Sequence, residues 1–218
     1  MTGVAKRLAA GLDVRLETRV EHLERLADGG WRLSGPDGSL IDADNVVLTA
    51  PVPQIQELLG VSNHTLTPSA ESALAAIEYD PCLAVLVVCG EPSLIEAPGA
   101  RRWDEGPVEW IADNQQKGVS PVPAVTIHLS PAASAAHLES PDDAVGVALD
   151  AVGHMLRSPR ETQVQRWRYS RPRVAHPDPV VALDEEHTLL AAGDAFGGPR
   201  VEGAYLSGLA AAQVISGS

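Results

Sequence analysis

Leu189-Leu-Ala-Ala-Gly-Asp-Ala-Phe-Gly-Gly-Pro-Arg-Val-Glu-Gly-Ala-Tyr-Leu-Ser-Gly208 runs from a short apolar strand, through a Gly/Pro loop, into a helix that begins near Val201. Residues 189–192 carry no polar side chain and read as a buried strand. Gly193-Asp194 ends it, and Gly197-Gly198-Pro199 turns the chain. A helix start leaves backbone N–H groups unpaired and bears a partial positive charge. Val201-Glu202-Gly203-Ala204 can therefore hold the electron-rich edge of a ligand, with small residues allowing close approach. In open α/β sheets such an element is normally paired with a G-x-G-x-x-G turn that holds a pyrophosphate. No G-x-G-x-x-G occurs in the 218 residues.

Upstream, Val4, Leu8 and Leu12 have helical spacing, with an end near Gly11. Residues 14–20 then alternate apolar and charged, as in a half-buried strand. A polar meander follows through Asp28-Gly29-Gly30, residues 31–34, Gly35-Pro-Asp-Gly38 and Leu40-Ile41. Residues 45–50 form an apolar run suited to a buried parallel strand, which Pro51-Val-Pro53 ends, and 55–59 give a short helix. Helix is expected over 70–77 and over 142–156, and strand over 82–89, 108–111, 122–129 and 162–169. These elements predict an α/β protein with an α+β insert. Residues 1–59 and 181–218 would form a partial Rossmann-like domain, and 60–180 an inserted antiparallel-sheet domain.

A net charge of -13 argues against nucleic acid or an anionic membrane surface as partner. No leader pattern and no membrane-spanning apolar run is seen, so the expected compartment is the cytoplasm. Cys82 and Cys89 stand seven positions apart on one expected strand, roughly 23 Å, too far for a disulfide. The seven histidines are scattered, and no metal site is expected.

In order and spacing, several segments together resemble the renalase branch of the FAD-dependent amine oxidase-like oxidoreductases. They are Leu12-Asp-Val-Arg-Leu-Glu-Thr-Arg-Val20, Val47-Leu-Thr-Ala-Pro-Val-Pro-Gln54, Trp110-Ile-Ala-Asp-Asn-Gln-Gln-Lys117, Ile127-His128, His137-Leu-Glu139, Trp167-Arg-Tyr-Ser170 and Gly193-Asp194 through Ser207-Gly208. The resemblance implies a flavin-binding Rossmann-like domain with an inserted substrate domain. Its members carry about a hundred more residues before the point that aligns with Met1, including the glycine-rich turn. The chain thus looks like the C-terminal two-thirds of such an enzyme. It departs from the pattern at Ala133 and Ala195, where Trp is frequent, and at Gln165, where His is common.

Carried over by that resemblance, the Val20 backbone would meet the adenine of FAD, and Thr49-Ala50-Pro51 would end a strand at the flavin crevice. Asp194 after Gly193 would accept from a ribityl or ribose hydroxyl, and Val201, Glu202, Gly203 and Ala204 would aim N–H groups at the flavin edge. Asn114 and Lys117 would act on the donor, with Trp110, Trp167 and Tyr169 as pocket wall. Each also has a plain structural reading, as core strand, turn or helix start. The implied chemistry is hydride transfer from a reduced nicotinamide isomer or an amine-like donor to flavin, with dioxygen as acceptor. The other reading is a remnant or interaction module, unable to hold FAD without a complementing N-terminal chain or a second copy.

Overall fold

The computed structural model describes residues 2–217. Met1 and Ser218, the outer ends of the first expected domain, lie outside the described residues. The chain begins with α1 (Thr2–Leu8), then β1 (His22–Arg25), β2 (Trp31–Ser34), β3 (Leu40–Ala43), β4 (Val46–Leu48), α2 (Val52–Val61) and α3 (Pro68–Ala75). There follow β5 (Glu78–Cys89), β6 (Ala100–Arg102), β7 (Val108–Asp113), β8 (Ala124–Leu129), α4 (Pro131–Ala136) and α5 (Asp143–Val152). The last are β9 (Pro159–Val174), β10 (Val180–Ala182), β11 (Leu189–Ala192) and α6 (Val201–Ser216). The protein is mixed α/β, with strands grouped in three sheets.

β1, β2 and β3 form an antiparallel meander. The second sheet has the order β10-β11-β4, with β11 parallel to β4 and antiparallel to β10. The apolar run ending at Ala50 is therefore a parallel strand, but it is the outer one. No further strand pairs with the far side of β4 among the described residues. The third sheet is antiparallel in the order β6-β7-β8-β5-β9.

The strand expected over residues 14–20 is not formed. The chain turns at Leu16 and Glu17, Glu17 has φ 55°, and Val14 and Leu16 are exposed. Alternation makes a strand only where a neighbour accepts its backbone hydrogen bonds, and the pairing starts instead at His22. α1 is likewise shorter than its apolar spacing suggested, with Val4 and Leu8 on its surface and Leu12 exposed beyond its end.

Local chemistry explains the other helix bounds. Pro53 lies in the first turn of α2, where no N–H acceptor is needed. The Thr67 hydroxyl accepts from the Ala70 N–H at the start of α3, and the Ser130 hydroxyl from Ala133 at the start of α4. Gly217, at φ 68°, ends α6 in a left-handed cap.

Two cores result. One joins Leu23 and Trp31 of the meander to Val52, Ile55 and Leu59 of α2, Ala70 and Leu74 of α3, and Leu189 and Phe196 near the chain's end. The other packs Leu83, Val85 and Val87 of β5 with Ile111 and Ile127 against Ala144, Ala148 and Val152 of α5. Each fully buried Leu, Ile or Val in these cores contributes about 1.5–3 kcal/mol. Because α5 covers one face of the large sheet, alternate residues such as Trp110, Thr126 and His128 are left on the other face, which the site uses.

The two cores are tied at their seam. The Tyr79 hydroxyl, at the root of β5, accepts the Val52 N–H at 3.1 Å. Within the first core, the nearly buried Asp184 carboxylate accepts from Arg25 at 2.9 Å, from the Thr188 N–H and hydroxyl, and from the Leu189 N–H. Thr188 in turn accepts from the Trp31 indole. This network fixes the entry of β11 and so the position of Gly193 at its exit.

Candidate functional site

The carboxyl ends of the parallel strands β4 and β11 bring Thr49-Ala50-Pro51 beside Gly193-Asp194. Gly193 has φ 139°, and a Cβ built on it would lie 3.6 Å from the Thr49 carbonyl oxygen. Its N–H donates to Ser207 Oγ at 2.8 Å, and that buried hydroxyl donates to the Pro179 carbonyl. The bond ties the loop after β11 to α6. Asp194 keeps one side open to solvent, while burial among its neighbours pushes its carboxyl above the ordinary aspartate range.

α6 begins without a side-chain cap at Arg200. Among the described residues, the N–H groups of Val201, Glu202 and Gly203 meet no acceptor, and Ala204 donates to the Arg200 carbonyl. Gly203 is required there, because a Cβ would overlap the Gly198 backbone. The helix tip is thus open rather than filled by its own side chains.

On the other side of β4, Val20 and Ala50 line one cavity of about 550 Å³ together with Gln54 and Leu58 of α2. Val20 lies in irregular chain just before β1, not at the end of a strand. Its backbone N–H and C=O find no partner among the described residues. A backbone with both groups open suits a planar ring edge that offers a donor and an acceptor.

A second cleft, of about 390 Å³, opens on the face of the large sheet away from α5. Cys82, Trp110 and His128 line it, and Pro199 reaches it from the loop that starts α6. The loop that leads into α6 thus contributes to the cleft, two residues before the helix begins. The Trp110 and His128 rings lie 5.1 Å apart at 45°, and Lys117 Nζ sits 5.1 Å from the centre of the Trp110 ring. Burial lowers the His128 pKa, and the Lys117 charge adds to this against Glu109. His128 is thus biased toward its neutral form. Burial pushes the Cys82 thiol up to about 11, so it is no nucleophile at neutral pH.

One wall of the cleft is charged. Arg171 bonds Asp80 at 3.3 Å and Glu109 at 3.2 Å, and Arg102 bonds the same Glu109 oxygen at 2.6 Å. Burial works against the Arg171 charge, but these carboxylates outweigh it and raise its pKa.

Of the residues singled out from sequence, Thr49, Ala50, Pro51, Gly193 and Asp194 come together, with α6's first turn following from the same loop. Trp110 lines the cleft. Trp167 does not, and is 54% exposed, while Tyr169 packs edge-on against Tyr79. The Asn114 amide bonds Thr126 at 2.9 Å on the same sheet face, farther along. The buried Asp113 carboxylate accepts the N–H groups of Gln115 and Gln116 and so shapes the turn that carries Lys117. Sequence reading missed Arg102, Glu109, Arg171 and Pro199. The first three come from three separate strands, and only the strand alternation placing Arg102, Trp110 and His128 in register would have hinted at them.

A family model described as flavin containing amine oxidoreductase matches residues 1–216. Among solved structures, wild-type putrescine oxidase bound to putrescine aligns with TM-score 0.69 at 16% identity, over 99% of this chain and 53% of that one. A cofactor-binding redesign of putrescine oxidase aligns with TM-score 0.67 at 15% identity, over 99% and 52%. The chain spans about half the length of these structures, and at such identity the likeness is one of fold. Among the described residues no helix is long and apolar enough to cross a membrane. With residues 1–216 matched by the family model, the chain belongs to the flavin containing amine oxidoreductase family.

Proposed function

We propose that this chain supplies the flavin-edge and donor-side parts of an FAD-dependent oxidoreductase of renalase-like type. Two observations support the reading: Gly193 approaches Thr49 beside an α6 first turn whose N–H groups meet no acceptor among the described residues, and Pro199, two residues before that helix, lines the cleft with Trp110 and His128. The residues present would serve three portions of FAD. The Val20 backbone and Ala50 would hold the adenine end. Thr49, Pro51, Gly193 and Asp194 would hold the sugar alcohols, and the N–H groups of Val201, Glu202 and Gly203 the flavin edge, with Ala204 keeping the turn slim.

FAD, when bound, would supply a two-electron acceptor for the donor's hydride, with dioxygen as the final oxidant. The protein's share is orientation and charge. α6 would steady negative charge at the flavin edge through prealigned N–H groups. Trp110 and a neutral His128 would wall the donor, a reduced nicotinamide isomer or an amine-like compound. Lys117, over the Trp110 ring, is proposed to reach its polar substituents, while Asn114 would act only through Thr126 farther along the face. Two free thiols, Cys82 and Cys89, fit a reducing compartment such as the cytoplasm.

The pyrophosphate has no glycine-rich turn among these residues. The open outer side of β4 suits a further parallel strand. A strand–turn–helix segment there, from a longer chain or a complementing one, would complete the site.

The test is anaerobic mixing of flavin-loaded protein with reduced nicotinamide isomers and with primary amines. Bleaching of the flavin band by one of these, followed by one peroxide per donor on admitting oxygen, is expected. Loaded protein that stays yellow with every donor would refute the oxidoreductase reading.

A further inference from the structure

The charged wall of the donor cleft divides it from a neighbouring cavity of about 210 Å³, and Arg102, Glu109 and Arg171 line both. By formal charge the cleft's own ion pairs cancel: two guanidinium groups against Asp80 and Glu109. Exposure breaks the tie. Arg102 and Arg171 side chains are 64% and 43% exposed, while those of Glu109 and Asp80 are 22% and 19% exposed. The carboxylates are the less exposed partners and already accept from arginine, and Arg173 lies a further 3.8 Å from Asp80 as an ion pair. Arg102 spends one hydrogen bond on Glu109 and keeps its other N–H groups open among the described residues.

A bound molecule therefore meets unpaired guanidinium donors of Arg102 on this wall, beside carboxylates already engaged by arginine. The pre-oriented pair is held at fixed spacing by the shared Glu109 oxygen, and guanidinium forks match carboxylate and phosphate oxygens. Lys117 above Trp110 adds a third positive charge on the same sheet face, and His128 is biased toward its neutral form. The acidic turn Asp104-Glu105 lines only the outer cavity. In a chain of net charge -13, this cleft is locally balanced rather than acidic.

We infer that the donor cleft takes a molecule bearing an oxyanion, carboxylate or phosphate, which Arg102 and Arg171 grip while its ring or chain lies against Trp110. This deepens the donor-site reading and rests on it for what the molecule does once bound, though binding itself needs no flavin. A polyamine such as putrescine would meet like charge at the same wall.

Calorimetry on the protein as purified, without a donor reaction, separates the two claims. The probes are nicotinamide mononucleotide and nicotinamide riboside for phosphate, benzoate and benzyl alcohol for carboxylate, and putrescine. At least one anionic probe is expected to bind about tenfold or more tighter than its uncharged-tail counterpart and than putrescine, with affinity falling as salt rises. Arg102→Gln, whose single bond is at the surface, is expected to remove most of that advantage. The preferred arm identifies phosphate or carboxylate. Equal binding within each pair, tighter binding of putrescine, or no binding of any anion at millimolar concentration would overturn the inference. A flavin that never bleaches would leave this binding result standing and refute only the redox reading.

Discussion

Gly203 lies so close to Gly198 that a single methyl group at position 203 would overlap the Gly198 carbonyl. The first turn of α6 is thereby pressed onto the loop that carries Pro199 into the donor cleft. Gly203→Ala must push loop and helix apart, at a cost of about 1–3 kcal/mol for the overlap. Thermal unfolding should register the loss. In flavin-loaded protein the same change should weaken flavin retention more than Gly208→Ala, which meets open space in mid-helix. Equal retention in both variants would count against a flavin-facing role for the helix tip.

Asp184 makes a second prediction, with a pH signature. Burial works against its charge, but hydrogen bonds from Thr188, Leu189 and Arg25 outweigh it and lower its pKa. Its contribution is therefore full above the ordinary aspartate value of about 4 and disappears as pH falls through the lower folded value. Asp184→Asn should cost about 2 kcal/mol at neutral pH and flatten the acid limb of the stability curve. An unchanged acid limb in chemical denaturation would show that this network does not carry charge-linked stability.

The Tyr79 hydroxyl, holding the Val52 N–H, joins the root of the large sheet to the start of α2. Tyr79→Phe leaves that N–H unpaired and should destabilise by about 1 kcal/mol. Amide hydrogen exchange at Val52 is the direct reading: it should speed up in the variant, and an unaltered rate would place the bond outside the stable fold.

His128 should titrate below the ordinary histidine value of about 6.5, because burial and the Lys117 charge both disfavour its cation. The neutral ring's advantage is present above that value and is lost as pH falls. NMR titration of the ring protons gives the number. Lys117→Met should move it upward and Glu109→Gln downward, and no response to either would remove both residues from the ring's electrostatic surroundings.

The parts legible in sequence are those decided locally. Residues 189–192 and the helix from Val201 were readable because an all-apolar strand, a glycine loop and an alanine-rich helix admit one order of elements. Residues 82–89 were readable as the strongest strand for the same reason, although its true start at Glu78 was not. Residues 14–20 misled because alternation says nothing about whether a partner strand exists. The donor cleft was only partly legible: Trp110 could be named, but Arg102, Glu109 and Arg171 meet through pairing across β6, β7 and β9. Trp167 and Tyr169, named as pocket wall, do not line this cleft. Register shifts along β5 and β9 leave one exposed and turn the other to Tyr79.

The most direct measurement is the visible absorbance of FAD on the purified protein, with and without a glycine-rich strand–turn–helix segment co-expressed beside β4's open edge. The 218 residues alone should purify colourless, and the completed protein should hold FAD in one-to-one ratio, losing it on Gly203→Ala. A completed protein that folds and stays colourless, or flavin retention indifferent to the α6 tip, would contradict the claim that Gly193, Thr49 and the first turn of α6 form a flavin edge.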